Sequence, residues 1–146
     1  MSEESVTRQL VVFSLGDEEY ALPIADVHEI IRYTEPRSVA SSVDWVRGVI
    51  SLRGKIVPVY DLASRLGCAA CADVDERKIV IVEAATQLAG VVVDDVAEVI
   101  TVDADQLERI PSADEAAIDA IVKLDDRLIV LLTPAGLFGA AAEIAV

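Results

Sequence analysis

The sequence predicts a mainly β chain, folded as two small five-stranded antiparallel barrels, one after the other, with a groove between them. Three observations predict it. Many short apolar runs are broken by turn residues. The order hairpin, strand, hairpin, helix occurs twice along the chain. Hydrophobic residues make up 53% of 146, enough for one domain with a real core. One repeat alone would bury too little apolar surface to be secure, whereas two copies packed together would share a core. Closed barrels would also protect the strand edges of so apolar a chain.

The elements justify this in order. Leu10 to Leu15 is β-branched and apolar, Gly16-Asp17 breaks it, and Tyr20 to Ile24 resumes, as in a short-loop hairpin. Val27 to Tyr33 is a third strand. Gly48 to Leu52, the turn Arg53-Gly54, and Lys55 to Tyr60 form a second hairpin, where Pro58 points to an edge or irregular position. Asp61 can cap a helix that has Leu62 and Leu66 on one face and Gly67 at its end. A small-residue linker, Cys68 to Glu76, follows. Strands return at Arg77 to Glu83, Leu88 to Asp94 and Val96 to Val102. Asp103 with Gln106 has the form of a capping box. Ile110 to Asp119 reads as a loop. Ile121 to Leu124 and Arg127 to Leu132 flank the turn Asp125-Asp126, and Thr133-Pro134 starts a terminal helix.

The repeat can be written out. Leu10-Val11-Val12-Phe13-Ser14-Leu15 falls on Ile79-Val80-Ile81-Val82-Glu83-Ala84. At the same offset Val27-His28-Glu29-Ile30-Ile31 falls on Val96-Ala97-Glu98-Val99-Ile100. At a slightly longer offset Leu52-Arg53-Gly54-Lys55-Ile56-Val57 falls on Leu124-Asp125-Asp126-Arg127-Leu128-Ile129, and Asp61 falls on Thr133. Matched turns and caps point to duplication within a single domain, with subdomains at about 7–67 and 77–139.

Composition narrows the function. Asp and Glu total 26 against 12 Lys and Arg, a net charge of −14. That disfavours nucleic acid and anionic membranes, and suits a solvated surface or one that meets a basic partner. No apolar run is long enough to span a bilayer, and the acidic Met1-Ser2-Glu3-Glu4-Ser5 start is unlike a secretory signal, so a cytoplasmic protein is expected. Cys68 and Cys71 lack the further ligands of a structural zinc site and the βαβ setting of a redox pair, and read as incidental linker residues. The single histidine, His28, has no nucleophile pattern beside it and reads as facing solvent or a partner. Asp94-Asp95 is a poor metal pair, because adjacent strand residues point apart. No phosphate-cradling loop is present. No enzyme and no cofactor are expected.

Arg53 is a lone basic residue in a tight turn between two very apolar strands. It could be an ordinary exposed turn arginine. It could equally be a donor fork fixed at the groove, able to pair with Glu29 or with a carboxylate on a partner. The residues leave both open.

At these segments the sequence resembles the CheW family of chemotaxis coupling proteins. The motifs are Phe13-Ser14-Leu15-Gly16-Asp17-Glu18-Glu19-Tyr20, Val27-His28-Glu29-Ile30, the long run from Val46 to Leu62, and Gly90-Val91-Val92-Val93-Asp94-Asp95-Val96. The resemblance runs from about Gln9 to Phe138. It implies two SH3-like barrels and a scaffold without catalysis. Implied partners are the regulatory domain of a CheA-type histidine kinase and the cytoplasmic tip of methyl-accepting receptors, in arrays at the membrane. A receptor groove would include Val27, Glu29, Arg53, Val96 and Val99, while Gly48, Gly54 and Gly90 would serve turns and close packing. Two alternatives to the chemotaxis role are an adaptor in a surface-motility or gene-regulatory pathway and a small ligand-binding barrel or enzyme. The sequence departs from the family pattern in having Ser51 where asparagine is usual and Thr133 where aspartate is common.

Overall fold

The structure is a computed structural model that describes residues 7–39, 45–66, 76–84, 87–109, 118–134 and 137. Strands β1 (Thr7–Leu15) and β2 (Glu18–Pro23) form the first hairpin, followed by a 3-10 turn at Ile24–Asp26 and by β3 (Val27–Arg32). β4 (Val46–Leu52) and β5 (Lys55–Asp61) form the second hairpin and lead into helix α1 (Leu62–Leu66). Next come β6 (Lys78–Ala84), β7 (Gln87–Val93), β8 (Asp95–Asp103), the short β9 (Leu107–Glu108), β10 (Ile118–Leu124) and β11 (Arg127–Leu132). Gly67, Cys68, Cys71, residues 110–117 of the expected loop and Ala140 to Val146 lie outside the described residues. That loop was expected to reach Asp119, but Ile118 and Asp119 already belong to β10.

Two sheets result. One has the order β8-β1-β2-β11-β10-β9, the other β3-β6-β7-β5-β4. Apart from the added β9, the second order is the first with each strand replaced by its repeat partner. The sheets do not divide the chain at the linker. The second sheet is one continuous stretch, Val27 to Val93, and the first joins the N-terminal hairpin to the strands after β7. The units expected at 7–67 and 77–139 are therefore the repeats, while each sheet takes its first hairpin from one repeat and the rest from the other. The cause is local. Pro23-Ile24-Ala25-Asp26 lacks the glycine or asparagine of a tight hairpin turn, and its 3-10 turn carries the chain across to the other sheet. Asp94, alone between β7 and β8, does the same.

The sheets are also not wholly antiparallel, because the exchange places β5 parallel to β7 and β2 parallel to β11. Pro58 is likewise not on an edge strand. β5 lies between β7 and β4, and its parallel ladder begins at Val59, one residue beyond the missing N–H.

Irregularities repeat with the sequence. The ladder slips at His28 in β3 and at Ala97 in β8, the matching position. It slips again at Arg47 in β4 and at Asp119 in β10. Even the bridge between Arg37 and Val49 has its counterpart in the pairing of Glu108 with Ile121.

Burial explains the long valine runs. Ile79 and Ile81 face a cluster inside their own sheet with Ile50, Val57, Val59 and Val92. Val80 and Val82, on the opposite face of β6, enter a central cluster with Phe13, Leu22, Tyr60, Val91 and Leu132. The first sheet has its own cluster at Leu10, Val12, Ala21, Ile100, Ile129 and Leu131. The inner strands are thus apolar on both faces, as strands between two packed surfaces must be. The central cluster is the core that the two repeats were expected to share.

Short-range chemistry sets the rest. Ser64 N donates to Asp61 Oδ1 at 3.3 Å, so Asp61 caps α1. Asp103 N donates to Gln106 Oε1 at 2.8 Å, as in the expected capping box. Leu137 N donates to Thr133 O at 3.0 Å, one helical turn on from the cap position. Gly48 sits inside β4 with φ +144°, where an added Cβ would lie 2.1 Å from Arg37 O. Gly90 is also in a strand, where a Cβ would meet Ile79 Cγ2 at 2.8 Å. Both serve close packing, and of the three glycines only Gly54 lies in a turn.

Candidate functional site

Four of the five residues singled out for the groove lie on the strands that follow the two places where the chain changes sheets. Val27 and Glu29 follow the 3-10 turn on β3, and Val96 and Val99 follow Asp94 on β8. Val27 and Val96 are half-buried and both pack against the central cluster. Val99 is 52% exposed and is paired with Val11 across the ladder. Arg53 is at the tip of the β4–β5 hairpin, with φ +54°.

One direct contact joins members of this set. Arg53 Nε and Nη2 donate to Glu29 Oε1 and Oε2, each at 3.2 Å. The guanidinium side chain is 74% exposed while the carboxylate is mostly covered. A planar fork is thus held from one side by a bidentate acceptor and left open on the other. Arg53 is thus both an exposed turn arginine and paired with Glu29. The slip at His28 bears on the same corner, bringing its Nε2 to 3.8 Å from Glu29 Oε1 although neighbours in a regular strand point apart. His28 itself is exposed. Val99 stands on the other sheet from the ion pair.

The second repeat carries a related arrangement that sequence reasoning missed. Arg127, at the start of β11, donates to Glu19 at 3.0 and 2.9 Å and lies 2.7 Å from Glu98 Oε2. Hydrogen bonding to Glu19 and then Glu98 holds its guanidinium even more firmly protonated than usual. Glu98 is the repeat partner of Glu29, so the offset between repeats was the signal that could have found it. Four exposed apolar residues pair in the same way. Ile30 and Val99 occupy matching positions and are 40% and 52% exposed; Ile56 and Leu128 also match, at 58% and 67%.

Asp94 and Asp95 point apart as expected. Asp94 is buried and accepts from Gly16 N at 2.7 Å, whereas Asp95 is exposed, 3.8 Å from Lys78 Nζ. Among the described residues, no helix is long and apolar enough to cross a membrane.

Comparison with known proteins fits this geometry. The family model described as the CheW-like domain matches residues 9–142. This chain belongs to the CheW family. The chemotaxis protein CheW of Klebsiella aerogenes is 31% identical over 76% of this chain and 67% of its own length. The chemotaxis protein CheW of Bacillus subtilis is 31% identical over 88% of this chain and 85% of its own. The crystal structure of the scaffolding protein TtCheW from Thermoanaerobacter tengcongensis superposes with a TM-score of 0.81, at 38% identity, covering 87% of this chain and 89% of that one. As a CheW protein the chain is a chemotaxis coupling adaptor and not an enzyme, and its chemistry is that of binding surfaces.

Proposed function

We propose that this adaptor couples methyl-accepting receptors to the regulatory domain of a CheA-type histidine kinase, and that it is recruited to receptor arrays at the membrane. The receptor's helical tip would lie in the groove bordered by Val27, Glu29, Arg53, Val96 and Val99. The observation that carries the site reading is the Arg53–Glu29 pair, which holds an exposed guanidinium in a fixed orientation. The pair uses Nε and Nη2, so Nη1 remains for an acceptor on the receptor. Half-buried Val27 and Val96 supply apolar surface for the i, i+3, i+4 face of a helix. The kinase would meet the exposed hairpins carrying Ile56 and Leu128, which supply apolar anchors at matching places in the two repeats.

The test is a titration of the purified protein against a receptor cytoplasmic fragment and the kinase regulatory domain. Saturable binding to both supports the reading. If the folded protein binds neither, the partner assignment falls, and an adaptor role in another pathway takes its place.

A further inference from the structure

Among the described residues, Asp94 is the one charged side chain that is buried, at 6% exposure. It is also where the repeat breaks. Its matching position is Ala25, an exposed residue of the 3-10 turn. Both positions do the same topological work, since the described chain passes between sheets only at Ile24–Asp26 and at Asp94. One crossing, Ile24-Ala25-Asp26, has no buried residue, and its single carboxylate stays in reach of solvent. The other buries a carboxylate, which costs desolvation and is often no gain in stability over apolar packing. A buried charge at such a place fits a role in fixing geometry.

Its partners show which geometry. Oδ2 accepts from Gly16 N at 2.7 Å, in the β1–β2 turn of the first sheet. Oδ1 lies 3.8 Å from Arg77 Nε. Arg77 belongs to the second sheet, since it immediately precedes β6 and its carbonyl accepts from Tyr33 N at 3.2 Å, beyond the end of β3. The Asp94 backbone N donates to Ser14 O at 3.0 Å, again in the first sheet. One residue therefore hydrogen-bonds to the first sheet and meets a positive charge of the second at 3.8 Å, two positions before Val96.

We propose that Asp94 is a positioning residue, a latch that fixes the relative orientation of the two sheets and thereby the spacing of β3 and β8 across the groove. The consequence for receptor binding rests on the function proposed above, but the latch itself does not. Without the carboxylate each sheet keeps its own cluster and the non-directional central cluster still packs between them, while the hairpin tip at Gly16 and the strand end at Arg77 lose their common partner. The sheets then sample more than one orientation. If the competent orientation fell to about a tenth of the population, apparent receptor affinity would fall about tenfold.

The experiment measures inter-sheet distance directly. Cysteines placed by Ile56→Cys and Leu128→Cys, in a Cys68→Ala, Cys71→Ala background, carry spin labels for pulsed dipolar spectroscopy on the full chain. Asp94→Asn retains shape and an acceptor for Gly16 N but loses the charge, and Arg77→Gln removes the other half of the link. The expected result is a broadened or displaced distance distribution in both variants, with far-ultraviolet circular dichroism unchanged. An unchanged distribution in both overturns the proposal and leaves Asp94 a turn-holding residue. Loss of folding in both also overturns it, because Asp94 would then be required by the sheets themselves. Titration of the same variants with the receptor fragment reads the groove separately. Failure of the parent protein to bind it sinks the receptor reading and leaves the distance result standing.

Discussion

Arg53 and Asp125 occupy the same turn position in two copies of one hairpin, and both have φ +54°. Neither is glycine, although left-handed backbone costs an L-residue roughly 1–2 kcal/mol. Aspartate tolerates this conformation better than arginine, because its short side chain can bond locally. Arg53 is thus the more strained of the pair and is the one placed against Glu29.

Replacing each by glycine should separate strain from function. Arg53→Gly should raise stability by about 0.5–1 kcal/mol, and Asp125→Gly by less. Denaturant midpoints of the two variants check this. Arg53→Gly should also lose receptor affinity, whereas Asp125→Gly should not.

Arg53→Ala and Glu29→Gln should each lower receptor-fragment affinity about tenfold, a loss of about 1.4 kcal/mol. Stability should change by less than about 1 kcal/mol, because an exposed ion pair contributes little. Calorimetric titration beside thermal unfolding provides the measurement. An Arg53→Ala protein that unfolds would make Arg53 structural and remove it from the site.

Gly48→Ala should be far more costly. Its Cβ would lie 2.1 Å from Arg37 O at a φ that L-residues rarely adopt. A loss of about 3 kcal/mol or more is expected, with β4 displaced from the Arg37 bridge. Gly54→Ala, with nothing within 4 Å of the added Cβ, should cost only about 1 kcal/mol for its φ of +84°. Chemical denaturation of the two side by side would reverse this ranking if backbone crowding were not the cause.

Tyr60 gives a pH prediction. Burial in the central cluster pushes its phenol above the ordinary tyrosine range. The folded state then holds the proton more tightly than the unfolded state. Its contribution to stability is complete below about pH 10 and is lost as pH rises through the folded value. Tyr60→Phe removes this term, so the variant should lose less stability than the parent above about pH 10. Fluorescence of Trp45, whose ring centroid is 5.4 Å from that of Tyr60, follows unfolding at each pH.

Much of the fold was legible because its causes are local. Alternating and β-branched runs named the strands, Gly16 and Arg53-Gly54 named the turns, and Asp61 and Gln106 placed the caps. The duplication was legible because side-chain period and turn chemistry recur together. The residues of the Arg53–Glu29 pair were legible as a possibility, while Arg127 with Glu19 and Glu98 was passed over. Glu19 and Arg127 meet only where β2 lies parallel to β11, and that pairing joins the two ends of the chain.

The sequence by itself determined that this chain folds as two matched β units around a shared core, and that it carries a scaffold's surfaces. Only the tertiary structure decided which hairpin joins which sheet. Strands such as Ile79 to Val82, apolar on both faces, carry no alternation that marks an inner and an outer side. Their partners are chosen by packing between distant segments, through a turn at Ile24–Asp26 and a single buried carboxylate at Asp94.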